Sequence, residues 1–108
     1  MVGAGSLGFH HVRILRDLPG AELVAFYEIR PERATAVARE LGVRPFSSLE
    51  ELVDACQALT VAVPTKAHHS VAKVALERGC HLLIEKPIAA TLAKADEIVE
   101  LAERAGVV

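Results

Sequence analysis

The chain has 108 residues, 52% of them hydrophobic and 24% charged, with a formal net charge of −2. This length holds one hydrophobic core and one domain, and the composition is that of an ordinary globular protein. Acids and bases are interleaved, so no basic tract addresses nucleic acid and no charge block forms a tail, and no signal peptide or membrane-length apolar run is visible.

The first stretch, Val2 to His11, reads as a strand end, a tight turn and a helix start. Its glycines at 3, 5 and 8 make G-x-G-x-x-G, in which each glycine has its own task in a dinucleotide-binding turn. Gly3 turns the chain sharply out of the strand. Gly5, without a Cβ, lets a pyrophosphate approach the backbone, and Gly8 lets the helix pack closely on the strands. The free N–H groups of the new helix, around Ser6 and Leu7, then face the anion. Met1-Val2 is only a stub of the first strand.

The first helix is expected over about Ser6 to Leu18, with Val12, Ile14, Leu15 and Leu18 inward, and Pro19-Gly20 as the turn that ends it. Glu22 to Glu28 is a near-continuous apolar run, as a strand buried on both faces requires. Pro31 suits the first turn of a second helix, Ala34, Val37, Ala38 and Leu41 mark its inner face, and Gly42 suits its C-terminal cap. Val43 to Phe46 is a short third strand. Ser47-Ser48-Leu49-Glu50-Glu51 offers a capping box in either register, followed by an inner face of Leu49, Leu52, Val53 and Cys56.

Leu59 to Val63 reads as the fourth strand and Pro64-Thr65 as its exit. A helix from about His68 to Arg78 ends at Gly79. His81 to Ile84 is the fifth strand, with Glu85-Lys86-Pro87 at its carboxyl end. The last helix spans about Leu92 to Ala105, with Ile98, Leu101, Ala102 and Ala105 inward and Gly106 after it; Val107-Val108 resembles the start of a further strand. Alternating strands and helices with short loops predict an α/β fold, a doubly wound parallel sheet whose ligand crevice lies at the carboxyl ends of the strands. The glycine turn, Glu28, Pro64-Thr65, His68 and Glu85-Lys86 all map to that edge. Glu28 follows Gly8 by 20 residues, the placement of a carboxylate that accepts hydrogen bonds from the adenosine ribose and favours NAD, whereas Arg30 could attract the 2′-phosphate of NADP. Lone Cys56 and Cys80, without C-x-x-C or histidines at metal spacing, predict buried thiols in a reducing cytoplasm and no metal site.

V-P-T-K-A-H at 63–68 and G-C-H-L-L-I-E-K-P at 79–87, after the G-A-G-S-L-G turn, resemble the glucose–fructose oxidoreductase/inositol dehydrogenase (Gfo/Idh/MocA) family over essentially the whole chain. The resemblance implies a Rossmann domain, residues 1–108, forming the nucleotide-binding half of an NAD(P)-dependent oxidoreductase that moves hydride to or from a sugar, inositol or nucleotide-sugar hydroxyl. It implies that Gly3, Gly5, Ser6, Leu7 and Gly8 cradle the pyrophosphate and that Glu28 and Arg30 meet the ribose. By the same resemblance, Pro64, Thr65 and His68 line the middle of the groove. Glu85 and Lys86 lie near the nicotinamide ribose, with Lys86 as the catalytic contact to the substrate hydroxyl and Pro87 fixing its loop. The chain departs from the family in carrying Glu28 where Asp is usual, in its Pro64-Thr65 order, and in short ends that omit part of strand one and the α+β substrate domain.

Accordingly the 108 residues are expected to bind dinucleotide weakly without turning over substrate, and to self-associate as a homo-oligomer through the unpaired edges beside the short first strand, or to be marginally stable if monomeric. A non-catalytic dinucleotide-binding module, such as a sensor or partner subunit, is the alternative; a fragment that binds nothing is opposed by the glycine turn and Glu28. His10, His11 and His69 are expected at the surface or in packing roles, and His81 at a strand start. The A-H-H-S-V-A and I-E-K-P-I-A-A-T stretches lean toward a nucleotide-sugar substrate.

Overall fold

Val2 stands at the middle of the sheet, bridging Tyr27 on one side and Val61 on the other, both in parallel. The computed structural model describes all 108 residues. In chain order the elements are α1 (Ser6–Asp17), α2 (Pro31–Leu41), α3 (Leu49–Asp54), β1 (Ala58–Val61), α4 (Thr65–Leu76), β2 (His81–Ile84) and α5 (Leu92–Ala105). β1 and β2 pair in parallel, from Ala58 opposite His81 to Val61 opposite Ile84. Around them the pairing continues through single bridges, Val2 to Val61, Val2 to Tyr27 and Phe26 to Pro45. The spatial order is therefore the Pro45 segment, the Phe26-Tyr27 segment, Val2, β1 and β2. The order reverses at Val2, which places the switch point at the glycine turn.

The core follows from side-chain alternation along these segments. Val2, Ala25, Leu59 and Val61 point to one face, where Leu52 and Val53 of α3 and Val71 and Ala75 of α4 cover them. Met1, Ala4 and Phe26 point to the other, beneath Val12 of α1 and Val37 and Leu41 of α2. α5 packs Ile98 onto Ala72 and Leu76 of α4 rather than onto the sheet centre.

The local signals explain most helix ends. Ser48 is the cap of α3, its hydroxyl accepting from Glu51 N–H at 3.1 Å, while Ser47 donates to the Glu51 carboxylate at 2.8 Å. Thr91 caps α5, and Gly42 and Gly106 close α2 and α5 in the left-handed conformation. α4 starts at Thr65, three residues before the expected His68, because Pro64 ends the extended chain and its carbonyl accepts from Ala67 N–H at 2.8 Å.

Other expectations need correction. Glu22 to Glu28 forms no continuous strand: only Phe26 and Tyr27 bridge. Met1 N donates to Ala25 O at 3.2 Å, and pairing on that side stops there. Val43 to Phe46 is likewise reduced to one bridge, with Phe46 N donating to Phe26 O at 2.8 Å. Ile14 and Leu18 are 55% and 45% exposed rather than inward. The buried stripe of α1 runs through Gly8 and Val12; at about 100° per residue Ile14 points away from it, and Leu18 lies past the last helical residue. Ala105, in the last turn of α5, is exposed. Val108 O accepts from Leu82 N–H at 2.8 Å, as the expected further strand would at its start.

At the amino ends of the strands Met1, Leu23, Ala25, Ala58, Leu59 and Leu82 help line an apolar hollow of about 820 Å³. Burial there pushes the α-amino group of Met1 down to about 6. No helix is long and apolar enough to cross a membrane.

Among the glycines, the tightest packing is that of Gly8 on Gly3. A Cβ on Gly8 would fall on the carbonyl oxygen of Gly3 and 2.7 Å from its carbonyl carbon, and backbone does not yield as a flexible side chain would. Gly8→Ala is therefore expected to lower stability by about 1–3 kcal/mol, the usual cost of overpacking, seen as a fall in the thermal unfolding midpoint. An unchanged midpoint would show that α1 can move off the sheet without loss.

Candidate functional site

The site is built where the first segment hands over to α1. Gly3 turns the chain at φ +86°, and a Cβ there would lie 2.5 Å from Ala62 O and 2.8 Å from Val63 Cγ1. The turn is thus pressed against the exit of β1. A Cβ on Gly5 would meet only the end of the Arg30 side chain, Nη2 at 3.7 Å, in ordinary van der Waals contact. α1 begins at Ser6 with no side-chain cap and no acidic residue in its first turn. Its first N–H groups have no intrahelical partner, and the positive end of its dipole is not neutralised. A cradle of this kind fits a pyrophosphate.

Glu28 holds the turn from the neighbouring segment. Its side chain is 5% exposed. Oε2 accepts from Ala4 N–H at 2.9 Å and from Arg30 Nη2 at 3.3 Å, and Oε1 accepts from Arg30 N–H at 3.1 Å and Arg30 Nε at 2.9 Å. Burial alone would push this carboxyl up. The Arg30 guanidinium and the backbone N–H groups of Ala4 and Arg30 outweigh burial and hold it below the usual carboxylate range. Arg33, at the start of α2, donates through Nε to Ala4 O at 2.7 Å and lies over the Phe9 ring. Ala4 is therefore gripped through both its N–H and its C=O.

The other end of the edge is assembled from the exits of β1 and β2. Glu85 N–H donates to Val61 O at 3.0 Å, extending the ladder one residue past β2. The Glu85 carboxylate meets Nε2 of His11 at 3.1 Å, which links α1 to the Glu85-Lys86 turn. Lys86 is exposed and makes no hydrogen bond or ion pair, and the Lys86–Pro87 peptide is cis. Pro64 and Thr65 lie at the start of α4, Pro64 exposed and Thr65 half-buried. His68 does not line the groove surface. It is buried beneath it, with Nε2 2.9 Å from Val63 O and Nδ1 3.0 Å from Pro87 O. The row thus runs from Arg30 and Glu28, across the glycine turn, to Val63, Glu85 and Lys86.

The sequence reading missed Arg33 and His11 as supports. His11, expected as a surface or packing residue, holds Glu85; Arg33 carries no local signal, since its partner is a carbonyl 29 residues away. His69 pairs with Glu97 at 2.7 Å, joining α4 to α5. Cys56 and Cys80 are free thiols, and burial pushes both above the usual thiol range.

A family model described as an oxidoreductase family with an NAD-binding Rossmann fold, Gfo/Idh/MocA, matches residues 1–108. The chain belongs to this family. It is 36% identical over 107 residues to glucose-6-phosphate 3-dehydrogenase of Bacillus subtilis, covering 99% of this chain and 31% of that enzyme. The solved structure of UDP-N-acetylglucosamine 3-dehydrogenase from Acidithiobacillus ferrooxidans superimposes with a TM-score of 0.90 at 33% identity, covering 99% of this chain and 35% of that one. Biliverdin reductase from Synechocystis, solved with biliverdin and NADP+, gives 0.92 at 27% identity, covering 99% and 34%. The chain therefore spans about a third of the length of these relatives. The parallel sheet and its helices are a Rossmann fold, and the cofactor class is nicotinamide dinucleotide.

The bonding of Glu28 also gives a measurable stability term. A carboxyl held below its ordinary 4.5 contributes stability above that value and loses it as pH falls through the lowered folded-state value. Glu28→Gln is expected to lose about 1–3 kcal/mol at pH 7, in the range for charged hydrogen bonds, and the gap to the parent should close as pH falls below 4.5. Chemical denaturation across pH 3–8 reads this. A gap independent of pH would show that the charge of Glu28 does not matter to the turn.

Proposed function

We propose that this chain is the nucleotide-binding part of an NAD(P)-dependent oxidoreductase that moves hydride between the nicotinamide and a carbinol carbon of a sugar, inositol or nucleotide sugar. The observation that carries the reading is the row along the carboxyl edge, with the Glu28–Arg30 pair at one end, an uncapped helix start at its centre and an unpaired lysine at the other end. Substrate class rests on relatives named as dehydrogenases of a hexose phosphate and of a nucleotide sugar. The free thiols, Cys80 buried and Cys56 half-buried rather than buried as expected, suit a reducing, cytoplasmic setting.

In this reading the pyrophosphate sits over Gly5, Ser6, Leu7 and Gly8, and Glu28 takes the ribose hydroxyls. Glu28 is already paired with Arg30, so a ribose diol displaces the guanidinium while the Ala4 and Arg30 N–H bonds stay. With NADP, whose 2′ position carries a phosphate in place of the hydroxyl, the exposed Arg30 guanidinium would meet that phosphate instead. Ile29, 78% exposed between them, offers an apolar surface to the adenine. The bound dinucleotide supplies the hydride acceptor or donor. Lys86 hydrogen-bonds the reacting oxygen and assists its proton transfer, and the His11–Glu85 pair orients the turn that carries it.

Titration calorimetry with NAD and NADP tests the placement. Glu28→Ala should weaken NAD by about 1–3 kcal/mol through unpaired ribose donors, and Arg30→Ala should weaken NADP more than NAD. Equal affinities in parent and Glu28→Ala would overturn it.

Catalysis needs the substrate oriented and shielded from water, and misplacement alone can cost about 100-fold. The 108 residues assayed by themselves are expected to bind dinucleotide yet produce no NADH from polyols or nucleotide sugars above background. Robust turnover that Lys86→Ala abolishes would show these residues to be a complete enzyme.

A further inference from the structure

His68 is the one polar side chain in the core, 1% exposed and fourth in α4. Both of its ring nitrogens lie at hydrogen-bond distance from main-chain carbonyls: Nε2 from Val63 O at 2.9 Å and Nδ1 from Pro87 O at 3.0 Å. A carbonyl oxygen only accepts, and a neutral imidazole has a single N–H. The neutral ring can donate to Val63 or to Pro87, but not to both. The other nitrogen would then meet a carbonyl lone pair with its own, in a ring only 1% exposed. Both bonds form together only when the ring carries two protons.

We propose that His68 is a positioning residue for the groove: it ties the loop after β1 to the Lys86-Pro87 turn, and holds both at once only in the doubly protonated state. The consequence for ligand binding rests on the dinucleotide reading above. Val63 precedes Pro64-Thr65, and Pro87 follows Glu85-Lys86, so the ring sits under the far half of the groove. Loss of one proton leaves two tautomers. With the proton on Nε2 the ring keeps Val63 and releases Pro87; with the proton on Nδ1 it keeps Pro87 and releases Val63.

No charged side chain pairs with His68. On the elements packed around α4, His69 is paired with Glu97 of α5, Glu85 after β2 with His11 of α1, and Arg78 with Asp54 of α3. Glu51 of α3 accepts from Ser47, and His81 of β2 accepts from Val108 N–H. β1 has no ionisable side chain, and Lys66 and Lys86 are exposed. None of these hydrogen-bonds or pairs with His68, which leaves the carbonyls as its partners.

The test is made on the 108-residue chain with ¹⁵N-labelled histidine, following both ring nitrogens and the backbone amides from pH 5 to 9. At the acid end both ring nitrogens should be protonated. Loss of one proton should coincide with shifts of the Lys86 and Ile88 amides, if Pro87 is released, or of the Thr65 and Ala67 amides, if Val63 is released. His68→Gln places an amide near the Nε2 position and His68→Asn near Nδ1. The first should show the Pro87-released pattern at every pH, the second the Val63-released pattern, and both should lose the pH dependence. A ring that titrates while neither amide set moves, or variants whose amides match the parent, would overturn the tie. These readouts need no ligand. NAD titrations over the same range should weaken several-fold in step with the ring; unchanged affinity despite moving amides would refute the positioning role. No NAD binding at any pH, with the amide changes intact, would overturn the dinucleotide reading and leave the tie standing.

Discussion

The contact on which the rest depends is the seat of Gly8 against the carbonyl of Gly3, closer than any side chain allows. It sets α1 directly on the sheet at its switch point and aims the helix start at the carboxyl edge. With α1 so placed, His11 reaches Glu85 and the uncapped N–H groups look into the groove. Gly3 repeats the constraint on the other side, where it is pressed against Ala62 and Val63. Two missing methyl groups thus bring three separate loops to one line.

The electrostatics of that line are arranged by neighbours in space. A carboxylate with 5% of its side chain exposed would ordinarily be an expense. Glu28 is stable there because backbone N–H groups and a guanidinium saturate its oxygens. The same saturation makes the guanidinium, which is exposed, the exchangeable partner. At the far end the pattern inverts: Lys86 is left without a partner, while the residues around it, Glu85 and Pro87, are held by His11 and His68. One end of the groove is pre-paired and the other fixes the backbone to leave one cation free.

Family membership gives this geometry a chemical setting, nicotinamide dinucleotide binding. The larger apolar hollow lies at the opposite end of the sheet, among the amino ends of the strands. The glycine turn and the start of α1 lie instead at the carboxyl edge, where a parallel sheet of this order takes its ligand.

The sequence by itself determined the elements whose signals are local: β2 at His81–Ile84 and α5 at Leu92–Ala105 match their expected spans, and glycines, prolines and capping hydroxyls mark most helix ends. It also placed the glycine turn, Glu28, Pro64-Thr65 and Glu85-Lys86 at strand ends, because turn chemistry and the ordering of elements in a parallel sheet put them there, but it did not foresee the burial of His68. Only the tertiary structure decided which residues of the second and third extended segments pair, with Phe26, Tyr27 and Pro45 making the bridges. Only it decided that Ile14 faces out, that Arg33 and His11 are supports, and that His68 lies under the groove with both nitrogens on carbonyls. Arg33 and His68 reach main-chain carbonyls, which every residue carries alike, and His11 meets a carboxylate from a distant part of the chain, so no local pattern of side chains announces them.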